Sequence, residues 1–121
     1  MARSIDDPDR MRHMLEASEK ALRLAKGKKR TDFQQDELLQ LALTRLVEMV
    51  GEAAARITQQ TRDRHKKIPW PDIIGTRNRI VHDYYMVNLD VLWEIVTHDL
   101  RPLVSSLKRV LQSKRKPPRS N

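Results

Sequence analysis

Apolar residues recur along this chain at helical rather than strand spacing. Met11, Met14, Leu15, Ser18, Ala21, Leu22 and Ala25 fall at i, i+3, i+4 and i+7 and so lie on one stripe. They predict a first helix with Asp7 as N-cap and Pro8 at the first helical position, ending near Lys26. Gly27-Lys28-Lys29-Arg30-Thr31 then reads as a helix stop and a solvated loop. The same period returns in Leu39, Ala42, Leu43, Leu46, Val50, Ala53, Ala54 and Ile57, predicting a second helix from Gln35 to Thr61. Small residues around Gly51 let a neighbouring helix come close. Pro71 after Trp70 opens a third helix, with Ile73, Ile74, Ile80, Val81 and Tyr84 inward. Asn88 caps a fourth, from Leu89 to Gln112, with Leu92, Ile95, Val96, Leu100, Leu103, Val104, Leu107 and Leu111 inward. Pro102 cannot donate to the carbonyl of His98, so a kink is expected there. Short connections favour antiparallel neighbours. The expectation is an all-α, up-down four-helix bundle over residues 1–112, kinked in its last helix, followed by a disordered basic tail over 113–121.

Composition supports helix over sheet, with three glycines and one phenylalanine in 121 residues. That length suits one domain. Cysteine is absent, which excludes disulfides and thiolate metal sites. His13, His65 and His98 have no second histidine at ligand spacing, so no metal and no other cofactor is expected. The charged amino terminus lacks an apolar signal core, and no apolar run is long enough to span a membrane, so a cytoplasmic location is expected. The formal charge is +8, and the tail carries Lys114, Arg115, Lys116 and Arg119 without an acid. A basic surplus favours contact with a polyanion, nucleic acid first among the candidates, although a tail of this composition also serves simply as a solubilising end.

The chemistry concentrates in Arg77-Asn78-Arg79-Ile80-Val81-His82-Asp83-Tyr84. Arginine presents a fixed fork of donors that matches phosphate, and histidine changes charge unaided near neutral pH. On a continuous helix Arg77 and His82 would lie about 140° apart and about 7.5 Å along the axis, while Asn78 and His82 would share a stripe. One phosphate can then be reached by both Arg77 and His82 where they border a cleft, such as the groove of a two-fold homodimer. Glu48 and Glu52 are candidates to hold an arginine of this segment, though a solvated face or a Glu52 to Arg56 pair accounts for them more simply.

The spacing Arg-x4-His-x-Tyr resembles the signature of the HEPN superfamily of ribonucleases, in particular its HepT-like toxins. Val50-Gly51-Glu52-Ala53-Ala54, Ile68-Pro69-Trp70 with Ile73-Ile74-Gly75, and Leu92-Trp93-Glu94-Ile95-Val96 with Asp99-Leu100 resemble further family segments in the same order. The resemblance covers most of residues 46–107. It implies the same helical bundle and a metal-independent RNA endonuclease. In that chemistry His82 takes the proton of the 2'-hydroxyl and Arg77 meets the charge that builds on the phosphate oxygens. Such a proton transfer is worth typically 10² to 10⁴ in rate, and a placed donor roughly 10² to 10³. The general acid is left open among Tyr84, the second protomer's His82 and water, and Asn78 supports by orienting His82 or bonding phosphate. The resemblance further implies a partner: an ATP-using minimal nucleotidyltransferase antitoxin that silences the toxin by AMPylation of Tyr84. Tyr85 is a neighbouring hydroxyl, turned about 100° away if the helix continues. The competing readings are a non-catalytic helical adaptor, presenting nucleotide or substrate to a nucleotidyltransferase, and a purely structural bundle.

Overall fold

The computed structural model describes residues 5–83 and 86–115. It is an all-α bundle with one two-stranded hairpin. Helix α1, Asp7–Ala25, starts one residue earlier than the sequence suggests, because Asp6 is the N-cap and forms a reciprocal capping box with Asp9. Asp7 is thereby released for another task. Its carboxylate accepts from the Thr58 amide (3.2 Å) and from the hydroxyls of Thr58 (2.6 Å) and Thr61 (2.5 Å), tying the start of α1 to a segment about fifty residues further along the chain. Gly27 ends the helix region with φ +75°, where a side chain would be strained.

The expected loop after Gly27 contains a short helix, α2, Arg30–Gln34. Its helical turn buries Phe33, whose ring stacks on Trp93 at 4.8 Å between centroids. Trp93 is thus a packing residue within the chain. Helix α3, Glu37–Ala55, is capped by Asp36 and buries Leu39, Leu43, Leu46, Val47, Val50 and Ala54, a face that α1 covers. It is shorter than predicted. The chain breaks at Arg56 and restarts at Thr58 as α4, Gln59–Arg64, because Thr58 caps a new helix instead of continuing the old one.

The predicted third helix is present only in pieces: α5, Trp70–Ile74, and α6, Thr76–Ile80, joined at Gly75, which ends one and begins the other. Helicity stops at Ile80. Val81–Asp83 forms β1, paired antiparallel with β2, Met86–Val87, and the amide of Asn88 closes back on the carbonyl of Ile80. The β-branched Ile80-Val81 step and the return pairing with Val87 outcompete another helical turn.

Asn88 caps α7, Leu89–Glu94, as expected. The last helix is distorted not in Pro102's own turn but just before it, where Ile95–Asp99 is a π-helical turn that leads into α8, Leu100–Arg115. The wide turn is closed by the Leu100 amide on the Ile95 carbonyl. Helix α8 continues through Lys114 and Arg115, which the sequence reading gave to the tail, and residues 116–121 of that tail lie outside the described residues. Leu92, Ile95, Val96, Leu100, Leu103, Leu107 and Leu111 pack into the same core as α1 and α3.

Candidate active site

Helix α6 is anchored by Thr76 and Ile80, both buried and four residues apart, with the Thr76 hydroxyl donating to the carbonyl of Asp72. At 100° per residue this buried stripe is flanked on one side by Arg77 and on the other by Arg79, with Asn78 pointing straight outward. All three are exposed. Arg79 pairs with Asp99 of the π-helical turn at 3.4 Å, through two guanidinium nitrogens. Arg77 makes no ion pair with the described residues, leaving its donor fork available to an anion.

His82 is not on this helix. It lies two residues past its end, in β1, at an irregularity where Val81 pairs with Val87 and Asp83 with Met86, so that His82 is the extra residue of a bulge. The four-residue helical relation expected between Asn78 and His82 therefore does not exist, and neither does the angular relation expected between Arg77 and His82. Tyr84 and Tyr85 themselves lie outside the described residues.

Neither carboxylate considered for the motif pairs with its arginines: Glu48 has no ion pair among the described residues. Glu52 is paired with Arg45 at 3.5 Å along the exposed face of α3. His98 sits by Thr97 and Glu94. Among the described residues no group of three or more His, Asp or Glu is placed to hold a metal ion, and no helix is long and apolar enough to cross a membrane.

A cavity of about 370 Å³ lies behind α6, on the Arg79 side and away from Arg77. Val47, Val50, Ile73 and Leu103 form its apolar floor, and Lys67, Asp72, Arg79, His98 and Asp99 line its polar wall. The sequence reading assigned neither Arg79 nor Lys67 a place in a site. The signal was present for Arg79: two arginines two residues apart on one helix face opposite ways. For Lys67 and the π-helical turn there was none, since both depend on how the last helix crosses the α4 to α5 connection.

Comparison with known proteins adds an independent line. The sequence profile described as "HepT-like: Ribonuclease HepT-like" matches residues 14–110. A protein of Caldanaerobacter subterraneus subsp. tengcongensis named "putative RNase" is 31% identical over 105 residues, covering 87% of this chain and 94% of that one. A Thermococcus cleftensis protein named "probable ribonuclease HepT" is 32% identical over 79 residues, covering 65% of this chain and 72% of that one. No solved structure gives a significant match.

Proposed function

The chain belongs to the ribonuclease HepT-like family, and from that premise we propose that it is a metal-independent RNA endonuclease acting through Arg77 and His82. The observation that carries the reading is local. An exposed arginine without an ion pair among the described residues stands on α6, and the histidine follows two residues beyond that helix at a bulge. One short segment thus supplies both a phosphate clamp and a group able to carry a proton near neutral pH. His82 takes the proton of the 2'-hydroxyl, whose oxygen attacks the phosphorus. Arg77 stabilises the charge on the non-bridging oxygens, and the 5'-oxygen leaves with a proton from Tyr84, a partner copy's His82 or water. The products are a 2',3'-cyclic phosphate and a 5'-hydroxyl. Arg77→Ala and His82→Ala should each abolish RNA cleavage and any growth inhibition while retaining the helical thermal transition. Cleavage by the double variant, free of contaminating nuclease, would remove the mechanism.

The relatives' names support the ribonuclease activity; the toxin role and its control rest on the family resemblance. In this reading a minimal nucleotidyltransferase transfers AMP from ATP to Tyr84, placing phosphate charge and bulk two residues from His82 and in competition with RNA for Arg77. Because α6 ends at Ile80, the choice of Tyr84 over Tyr85 rests on the His-x-Tyr spacing alone. Peptide mapping after incubation with ATP and the cognate transferase should find AMP on Tyr84 and no residual cleavage. An adduct on Tyr85, or a modified protein that still cuts RNA, would contradict this. The working unit is a homodimer, for which Val81 and Met86 are the best support: both are exposed, at 40% and 53%, on the two strands of the hairpin that contains His82. Sedimentation at micromolar concentration should show two chains, and a monomer would count against it.

The second reading, an adaptor that binds nucleotide or substrate for a transferase without cutting RNA, is favoured by the cavity behind α6, which Arg77 and Asn78 do not line. Binding without cleavage would select it.

A further inference from the structure

The cavity behind α6 does not end at Lys67. A second one, of about 280 Å³, adjoins it, and Lys67 and Ser106 line both. Among the described residues, the wall of this second cavity includes Arg64, Lys66, Lys67 and Arg109 and no carboxylate. All four are exposed, and none has an ion pair among the described residues. Four cations held together without a counter-charge raise one another's free energy, and an anion lying among them relieves it.

The corner that bears these residues is held in place. The Ile68 amide and the Trp70 indole both donate to the carbonyl of His65, at 3.1 and 3.0 Å, and Ile68 and Trp70 are buried. Lys66 and Lys67 therefore project from a fixed turn instead of a loose loop. Little backbone ordering remains to oppose binding.

The two halves differ in kind. One is basic; the other has the apolar floor of Val47, Val50, Ile73 and Leu103, with Asp72 and the Arg79–Asp99 pair at its wall, so that phosphate is favoured on the first half and a base on the second. Its volume is at the low end of the roughly 300–1,000 Å³ of small-ligand pockets, enough for a single base. Arg79 belongs to the same helix as Arg77 and faces the other way, so a strand lying in the groove passes behind the helix that carries the phosphate clamp. We propose that this groove, from Arg109 and Lys66 through Lys67 to Arg79, binds single-stranded RNA flanking the cleaved phosphate, its backbone on the basic half and one base in the apolar half. The inference rests on the RNA-cleaving reading above. Among the described residues no Phe, Tyr or Trp lines either cavity, and the rings present are the imidazoles of His98 and His65. Bases are held there by apolar contact and the phosphates supply most of the affinity, unlike sites built on aromatic stacking.

The test uses the full chain with His82→Ala, so that binding is read without cutting, and a short unstructured RNA titrated over a range of salt. Adding Lys67→Ala and Arg109→Ala should weaken binding and flatten the dependence of log K on log salt by about 1.4, two contacts at roughly 0.7 each. The charge-matched pair Lys28→Ala and Lys29→Ala, in the loop after α1, should leave the slope unchanged. An equal effect of both pairs would show a response to net charge and overturn the groove. An unchanged slope together with lost binding of polyglutamate would also overturn it, in favour of an acidic protein. The protein with His82 intact is assayed on the same RNA in parallel. Cleavage with no slope change removes the groove and leaves the nuclease reading standing, whereas a slope change with no cleavage supports the groove and removes the nuclease reading.

Discussion

At the scale of single residues, neighbours of like type do unlike work. Asp6 caps α1 and frees Asp7 to clamp Thr58 and Thr61; Arg77 faces solvent without a partner among the described residues while Arg79, two positions on, is held by Asp99. Ser18 is a different case. It sits on the buried stripe of α1 at 0% exposure, and its hydroxyl has no hydrogen-bond partner among the described residues. A buried hydroxyl without a partner carries its desolvation cost, and alanine is the better helix former. Ser18→Ala should therefore raise stability by about 1 kcal/mol, read as a higher thermal midpoint. A lower midpoint would mean that the hydroxyl is bonded in solution.

At the scale of elements, three of the four helices expected from the sequence are legible in its periodicity because each buries one continuous stripe across several turns: Met11 to Ala21, Leu39 to Ala54, and Leu92 to Leu111. The third is not. Its apolar positions fit a helical repeat, but Gly75 divides it and strand pairing takes over at Val81, a contest decided by Val87 and Asn88, which come later in the chain. The site was legible to the same degree. Its residue types and order were visible, whereas its geometry was not, since the reading placed His82 on a helix that ends two residues before it. The close approach at Gly51 was anticipated. A Cβ there would stand 3.0 Å from the carbonyl oxygen of Ile73 and 3.8 Å from the Cβ of Thr76. Gly51→Val should force α5 and α6 outward, cost about 1–3 kcal/mol and lower cleavage, because α6 carries Arg77. An unchanged thermal midpoint would show that the two helices have room to yield.

At the scale of the whole molecule, the helical bundle serves as a frame for a short two-stranded hairpin. The motif sits where α6 gives way to the hairpin, and the distorted turn of the last helix braces the reverse side of α6 through Asp99. The formal charge of +8 is uneven along the chain, with four basic residues and no acid after Leu111, and the uncompensated wall around Lys67 adds a second basic surface. Such a charge distribution favours RNA in general and selects no sequence. The central claim concerns chemistry, and it is tested most directly by analysing the ends made when the purified protein cuts a defined RNA in excess chelator. The account predicts 2',3'-cyclic phosphate and 5'-hydroxyl ends, with no cut at a linkage whose 2'-hydroxyl is replaced by hydrogen. Cleavage at that deoxy-substituted linkage, or activity lost to the chelator and restored by a divalent metal, would contradict it.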